Sequence, residues 1–584
     1  MMWRNFWVLA VAALVVALPF VFRRDPAAGG DWRPGDPEVV VISPHNEAIR
    51  YEFGRAFAAW HRQHYGRPAR VDWRNIGGTT EIMRYLNGSY TAAFRAWWKK
   101  QGHAWPANGG TVIMDARFNP ATLPDNVREE QVALHREFRA HDDPAAYGSG
   151  VDLLFGGGSY DHDKAVRQGM VVPPWPSNAV PRAVFENADG TTLCPEKMGG
   201  EIWRTPNFFG CALSTFGICY NMDRLAELGL KPPSHWTDLA DFRYAGVLGV
   251  ADPTKSGSIA KAFEMIIHEQ CRLAVGRAGF TDADIRAFER KFAAAGRTAA
   301  GGLPDGVPAA YQQAVEDGWL AGVRLVQQIG ANARYFTDSS SKVPIDVSMG
   351  EAAAGIAIDF YGRFQAEISR APDGRPRMAY LTPVGGSSVS ADPVCLLRGA
   401  PHRETAVRFI EFALSEAGQK LWNYRVGAPG GPEKFALRRL PVGSAFYPPA
   451  GTYAAHAPYT SDNLADPSVN AYALASQFEY QPRWTGGHFS IMRDLVRAMC
   501  MDSGEELKAA WRAIHRCQDP ARRAQALAKM QEMPRQPEPL AWESAPRIGR
   551  ANEPLVYMRL WTAAFRANYR EAQRIAEAGG KGAP

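Results

Sequence analysis

Short apolar segments alternate with amphipathic ones along the first part of this chain. Residues 39–42 form an apolar run that predicts a buried strand, and residues 47–63 repeat apolar side chains at helical spacing. Residues 69–73 and 151–155 predict further strands, each followed by a helix. Such alternation indicates a parallel sheet covered on both faces, with ligand sites at the carboxyl ends of its strands.

Length and charge narrow the class of protein. A chain of 584 residues predicts more than one folding unit. The net charge of +6 arises from 66 basic and 60 acidic residues that are spread along the sequence. Because no long basic run is present, the charge pattern argues against nucleic-acid binding.

The N-terminus predicts export. The apolar run 6–22 is longer than most signal-peptide cores and lies at the short limit for a membrane span. Residues 1–24 are therefore expected to be either a cleaved signal peptide or an uncleaved anchor, with 25–37 as a linker. Either alternative places the rest of the chain in the periplasm.

Seven cysteines occur without a CxxC pair, which argues against a zinc site. An odd number leaves at least one free thiol in an exported chain. Two alternatives remain open, namely local disulfides joining Cys194 with Cys211 and Cys500 with Cys517, or buried thiols.

Residues 401–422, PHRETAVRFIEFALSEAGQKLW, resemble the C-terminal lobe helix of bacterial solute-binding proteins that feed ABC importers. Residues 394–400 resemble the strand and turn that precede this helix in that family, nearest its ferric-ion, phosphonate and polyamine types. The resemblance covers about 38–445 and implies an α/β, two-lobed periplasmic-binding-protein type II fold. Such a fold has two crossover strands and holds its ligand between the lobes.

The resemblance also implies the domain boundaries. We expect 38–221 with 367–445 as lobe 1, 222–366 as lobe 2, and 446–584 as a helical extension packed on lobe 1. Insertions are expected at 88–149 in lobe 1 and at 273–312 in lobe 2.

Candidate ligand contacts lie where strands lead into helices, because backbone N–H groups and the helix dipole there favour an anion. The plainer alternative is that these side chains only cap helices. The resemblance places the segment 252–258 as the anion cradle of lobe 2, and Ser214 and Thr215 near the hinge. The candidates are Ser43, His45, Asn46, Gly78, Thr79, Thr80, Ser159, Ser214, Thr215, Ser256, Gly257, Ser258, Asp359 and Tyr361.

Ferric ion is a second possibility within the same fold. His45 falls where ferric-ion-binding relatives place a histidine ligand. Phe360-Tyr361 stands where they carry two adjacent tyrosines, and residues 156–158 supply no carboxylate where they carry a glutamate. Two of four usual ligands are missing, so no metal or cofactor is predicted. Asp359 could instead pair with a cationic group.

The sequence contains no GxSxG, HExxH, GxGxxG or Walker A motif, and no catalytic residues are predicted. We expect a monomeric, non-enzymatic component of an ABC transporter that captures a small polar, anionic solute. Its partners would be that solute and an inner-membrane permease, with no nucleic acid. The alternatives are a ferric-ion-binding protein with a synergistic anion, or a membrane-anchored sensory or envelope protein.

Overall fold

The computed structural model describes residues 32–176, 179–186, 192–296, 302–447, 461–549 and 554–578. The predicted apolar span 6–22 lies outside these residues. Within them, no helix combines the length and apolar character needed to cross a membrane.

Fourteen strands are present in the described residues. They are β1 (Glu38–Ile42), β2 (Arg70–Arg74), β3 (Leu153–Phe155), β4 (Val171–Val172), β5 (Lys197–Met198), β6 (Glu201–Ile202), β7 (Phe208–Ser214), β8 (Phe216–Asn221), β9 (Leu248–Ala251), β10 (Ala333–Thr337), β11 (Ala354–Ile358), β12 (Met378–Leu381), β13 (Ser390–Leu397) and β14 (Leu440–Pro441).

Helices cover both sheets and make up the C-terminal region. They are α1 (Glu47–Tyr65), α2 (Thr79–Lys100), α3 (Gly109–Ile113), α4 (Asp125–Ala140), α5 (Ser159–Arg167), α6 (Met222–Glu227), α7 (Gly257–Arg277), α8 (Asp282–Ala295), α9 (Ala309–Asn332), α10 (Lys342–Ser348), α11 (Asp359–Ile368), α12 (Arg403–Leu414), α13 (Glu416–Asn423), α14 (Ala471–Ser476), α15 (Pro482–Thr485), α16 (Phe489–Val496), α17 (Gly504–Arg516), α18 (Pro520–Met530), α19 (Ala545–Ile548) and α20 (Pro554–Glu577).

Two sheets define two lobes. The first has the order β14-β7-β13-β3-β1-β2, with β4 paired to β13, and the second has the order β10-β9-β11-β8-β12. The parallel pairing predicted from the strand–helix alternation holds for part of each sheet. The βα strands pair in parallel, but β13 and β8 run antiparallel to their neighbours because each enters its lobe from the other lobe.

Strand β1 shows why lobe 1 has three layers. Its successive side chains point to opposite faces of the sheet. Val39 and Val41 join the core that includes α1, α12 and α13, whereas Val40 and Ile42 join the core that includes α2 and α4.

The two predicted crossovers are confirmed. Strand β7 continues through Thr215 into β8, and residues 382–389 lead from β12 back to β13. The C-terminal region adds a third passage. Tyr472 of α14 belongs to the core of lobe 1, whereas Trp484 of α15 belongs to the core of lobe 2, so residues 477–481 also join the lobes.

The expectation that the C-terminal extension packs on lobe 1 is wrong for the helices after residue 481. Trp511 and Trp561 belong to the core of lobe 2. The Trp511 indole N–H donates to the Asn332 side-chain oxygen at 2.8 Å, at the end of α9. These aromatic side chains cover a face of α9 that would otherwise expose apolar surface.

All seven cysteines are free thiols, and all except Cys517 are buried. The proposed disulfides joining Cys194 with Cys211 and Cys500 with Cys517 are therefore absent. Each of the six buried thiols behaves as a small apolar core residue.

Candidate functional site

A cleft of about 820 Å³ lies between the lobes. Its wall combines the turns after β1, β2 and β3 with the turn after β9 and the start of α11. The carboxyl ends of strands from both lobes therefore face one space, as expected for open α/β sheets. The predicted contacts that line it are His45, Asn46, Gly78, Thr79, Ser159, Ser214, Ser256, Gly257, Ser258 and Tyr361.

Four predicted contacts are not among the lining residues. The Ser43 hydroxyl accepts from the His45 backbone N–H at 3.1 Å, which shapes the turn after β1. Thr215 and Thr382 share a hydroxyl hydrogen bond of 2.8 Å between the two crossover segments. These side chains serve the hinge and the turn rather than the cleft surface.

Asp359 and Thr80 are the other two. Asp359 is fully buried, where it accepts from the Phe360 backbone N–H at 2.8 Å and from the Arg363 guanidinium at 2.6 Å. The cationic group that pairs with Asp359 is therefore Arg363 of the protein itself. Thr80 accepts a 3.5 Å hydrogen bond from Arg493 of α16.

Three helices begin at the cleft. The N-terminus of α2 at Gly78 and that of α5 at Gly158 have no side-chain cap, whereas Ser256 caps α7 by accepting from the Ile259 N–H at 3.3 Å. Orphan N–H groups of α2 and α5 come from lobe 1, and those of α7 come from lobe 2. Helix starts of this kind attract negative charge and hydrogen-bond acceptors.

These helix starts touch across the lobe boundary. A Cβ atom added at Gly78 would lie 2.9 Å from the carbonyl oxygen of Lys255. A Cβ added at Gly157, which has φ +93°, would lie 3.0 Å from the Thr79 methyl group. Glycine is needed at both places because any side chain would separate the turns.

The centre of the cleft contains a buried ion pair that sequence reasoning missed. Arg439, 1% exposed, pairs with the Asp392 carboxylate and donates to the Ser214 hydroxyl at 2.8 Å. His45 Nε2 lies 3.2 Å from the same carboxylate. The one available signal was Asp392 itself, a charged residue inside the otherwise apolar strand β13.

The electrostatics of this cluster favour a charged Asp392 beside a neutral His45. Burial alone would raise the pKa of Asp392, but Arg439 and His45 outweigh it and lower that pKa to about 2. Burial lowers the pKa of His45. His45 Nδ1, Asp392 Oδ1 and Arg439 Nε are buried without a hydrogen-bond partner among the described residues.

Tyr361 lines the cleft beside Phe360, whose ring lies 4.4 Å from the Arg439 guanidinium carbon. Burial raises the pKa of Tyr361, which disfavours the phenolate that iron coordination requires. In the part of the chain that the structure describes, no group of three His, Cys, Asp or Glu side chains is arranged to hold a metal ion.

A second ionic network forms the lobe 2 wall. Lys261 of α7 lies 2.9 Å from a Glu201 oxygen and 2.8 Å from a Glu264 oxygen. The Tyr480 hydroxyl donates to Glu264 at 2.5 Å, and its ring lies 3.9 Å from the Lys261 ammonium. Since Ser388 also donates to Glu201 at 2.6 Å, the network joins the second crossover segment to the C-terminal region.

The C-terminal region thus contributes to the cleft directly. Tyr480, Pro482, Gly486 and Phe489 are lining residues, and the Phe489 ring centroid lies 4.6 Å from that of Tyr160 in lobe 1. Sequence reasoning gave this region no role in the site. Its contribution depends on the third passage between the lobes, which no local pattern signals.

The central part of the chain matches a known protein family. Residues 162–450, just under half of the chain, match the model of bacterial extracellular solute-binding proteins. The resemblance expected from residues 394–422 is therefore confirmed.

Among curated proteins, the phosphoglycerate transport regulatory protein PgtC of Salmonella typhimurium is 23% identical over 210 residues. The aligned region covers 36% of this chain and 39% of that relative, so less than half of the relative is spanned.

Solved structures with a similar chain course include periplasmic binding proteins. AfuA from Actinobacillus pleuropneumoniae, with bound fructose-6-phosphate, is 16% identical, with a TM-score of 0.39, over 66% of this chain and 81% of that one. A substrate-binding protein of an ABC transporter from Agrobacterium tumefaciens is 13% identical, with a TM-score of 0.40, over 74% and 85%. Iron-bound HitA from Pseudomonas aeruginosa is 13% identical, with a TM-score of 0.36, over 76% and 96%.

Proposed function

Because residues 162–450 have the sequence character of bacterial extracellular solute-binding proteins, we propose that this chain is the binding component of an ABC importer. It captures a small polar solute with an anionic group between its lobes, in the periplasm, and presents it to an inner-membrane permease. Binding occurs without chemical change of the solute.

The convergence of three helix starts on one cleft carries this proposal. The N-terminal residues of α2, α5 and α7 line the same space from two lobes. Each helix terminus contributes about 0.3–1 kcal/mol to anion binding at an exposed site and up to about 2 kcal/mol when partly buried. A micromolar ligand needs about 8 kcal/mol, so side-chain hydrogen bonds and closure of the lobes supply the remainder.

Closure turns two weak half-sites into one desolvated site. The lobes rotate about the crossovers at Thr215 and 382–389, and the passage 477–481 limits how far they separate. A solute bound between Thr79 and Ser258 excludes water from both helix starts, which strengthens each hydrogen bond.

The bound solute itself provides the test. Full-length protein is purified without added ligand, denatured, and the released small molecules are identified by mass spectrometry. We expect one stoichiometric anionic compound, released unaltered. A stoichiometric compound without any anionic group would refute the proposed ligand class, and a compound converted to product on incubation would refute simple binding.

A direct binding assay tests the same ligand class independently of the extracted solute. Isothermal titration with 3-phosphoglycerate and with uncharged glycerol, at equal ionic strength, compares an anionic probe with one that lacks charge. We expect measurable heat with 3-phosphoglycerate alone. Heat of the same size with both probes would mean that the helix starts do not select for charge.

A sensory role is the second candidate. The curated relative PgtC is a phosphoglycerate transport regulatory protein, although the alignment with this chain covers 39% of it. Deletion of the gene distinguishes the two roles. Loss of solute uptake indicates transport, whereas unchanged uptake with lost transcriptional response to the solute indicates sensing. The ferric-ion alternative has less support, because burial disfavours ionisation of Tyr361.

A further inference from the structure

More acidic than basic residues line the cleft. Three basic residues line it, and each is already paired: Lys255 with Asp338 at 2.7 Å, Lys261 with two glutamates, and Arg439 with Asp392. Seven acidic residues line the same space. They are Glu81, Asp161, Asp163, Glu201, Glu264, Asp338 and Asp392. A cleft for a purely anionic solute would not be expected to carry this excess of carboxylates.

Among the buried carboxylates that line the cleft, Asp161 is the one without a direct partner in the described residues. It lies in the first turn of α5 and is 7% exposed, yet its side chain has no hydrogen-bond or ion-pair partner among the described residues. The neighbouring Ser159 hydroxyl is also buried and unpartnered in that part of the chain. Buried polar groups without partners are uncommon and point to a missing ligand.

The position of Asp161 brings it to the junction of the lobes. Its Oδ2 atom lies 3.8 Å from the place where a Cβ at Gly257 would stand, and the Thr79 hydroxyl lies 3.9 Å from the same place. Asp161 therefore faces the start of α7 from the opposite lobe, beside the start of α2. The Asp161 carboxylate would repel an anion at this point. A positively charged hydrogen-bond donor would instead give the carboxylate its missing partner.

Two cations, Arg493 and Lys164, act on Asp161 through their charge without pairing with it directly. Burial raises the pKa of its carboxyl, and Arg493 and Lys164 oppose this through their charge. Neither residue forms an ion pair with it. A ligand hydroxyl would give Asp161 one hydrogen bond but leave its charge buried, whereas an ammonium group supplies both.

We propose that Asp161 recognises an amine, and that the solute is a zwitterion whose ammonium group binds this carboxylate while its anionic group binds the helix starts. The inference rests on the proposed function and narrows its ligand class.

Two probes that differ in one group test the inference. O-Phosphoserine and 3-phosphoglycerate share a phosphate, a carboxylate and the same carbon chain, but the first carries an ammonium where the second carries a hydroxyl. By isothermal titration of the full-length protein, we expect O-phosphoserine to bind about tenfold or more tightly than 3-phosphoglycerate. Its ammonium group donates to the carboxylate and also offsets the buried charge, whereas a hydroxyl only donates.

The variant Asp161→Asn should remove this preference. We expect about a tenfold loss for O-phosphoserine and less than about a threefold change for 3-phosphoglycerate. The matched control is Asp125→Asn, another acidic residue in the first turn of a helix. Asp125 lies outside the cleft lining, its side chain is 89% exposed and it pairs with Arg128, so its loss should leave both affinities nearly unchanged.

A thermal unfolding measurement checks that Asp161→Asn still folds, and we expect a Tm equal to or above that of the wild type. Equal affinity for the two probes in the wild type, or an equal loss of affinity for both in Asp161→Asn, would overturn the amine site.

Mass spectrometry of the extracted solute after amine labelling separates this inference from the proposed function. An anionic solute without an amine overturns only the inference, and a solute without an anion overturns the function. Failure of both probes to bind, with no amine in the extract, also overturns the inference.

Discussion

Arg439 and Asp392 form a buried ion pair at the centre of the cleft, although they are separated by the whole helical segment α12–α13. Asp392 lies on β13, the strand by which the chain returns to lobe 1, and Arg439 immediately precedes β14. The pair therefore ties the second crossover to the end of lobe 1. Its remaining unpartnered atoms, Asp392 Oδ1 and Arg439 Nε, belong to side chains that line the cleft.

Arg439→Met should destabilise the protein by about 3–5 kcal/mol, because it leaves the Asp392 carboxylate buried without its cation. The double variant Arg439→Met/Asp392→Leu should recover much of this loss, since an apolar pair avoids the desolvation cost. Urea unfolding at pH 7 measures both. A single variant as stable as the wild type would show that the pair does not hold the crossover.

Glu269 should make stability depend on pH. It is 7% exposed beside the second crossover, and burial raises its pKa from 4.5 to about 7. The protonated carboxyl is favoured in the folded state, so stability falls as pH rises from about 4.5 through about 7. Glu269→Gln should remove this fall and stabilise the protein by about 1–3 kcal/mol at pH 8.

Urea unfolding between pH 4.5 and pH 8 gives the Glu269 comparison directly. Glu505→Gln is the control, because the Glu505 side chain is 90% exposed at the first turn of α17. Parallel pH profiles for the wild type and Glu269→Gln would contradict the assignment.

Gly78→Ala should weaken solute binding with little effect on stability. The added Cβ would lie 2.9 Å from the Lys255 carbonyl oxygen of the other lobe, so it opposes closure rather than folding. Small-angle scattering should show a more open molecule in the presence of solute. Gly88→Ala lies in the same helix and meets no atom within 4 Å, so it should bind normally and gain about 0.5–1 kcal/mol in stability.

Thr79→Ala and Ser258→Ala should each weaken binding of the extracted solute, because both hydroxyls line the cleft from opposite lobes. A lost hydrogen bond to a charged group costs about 1.5–3 kcal/mol, which corresponds to roughly a 10- to 150-fold increase in Kd. The double variant should show coupling, since losing one lobe's contact also weakens closure onto the other. Unchanged affinity in both single variants would reduce these residues to helix-terminal side chains without a ligand role.

Trp561→Ala should destabilise lobe 2 by about 3–5 kcal/mol, because the Trp561 side chain is fully buried in the core of lobe 2. Leu555→Ala on the same helix is the control, since Leu555 is 83% exposed and its loss should cost little. Chemical unfolding followed by tryptophan fluorescence compares the two. Equal stability of both variants would show that the extension is not part of the lobe 2 core.

The sequence by itself determined the elements and their chemistry. Apolar runs such as Val39–Ile42 specify strands through local periodicity, and the Gly, Ser and Thr residues that follow several of these strands indicate that helices begin there, without fixing which residue is the cap. The resemblance of residues 394–422 to solute-binding proteins predicted two lobes and two crossovers, which the topology confirms.

Only the tertiary structure decided which distant groups meet. Arg439 and Asp392 are brought together by strand order, and their pairing is a Coulombic and desolvation effect that no spacing along the chain encodes. The C-terminal helices pack on lobe 2 because α9 offers an apolar face there, and amphipathic helices specify that they pack but not on which partner. Asp161 likewise looks like an ordinary first-turn acidic residue in the sequence, and only its burial opposite the start of α7 leaves it without a partner.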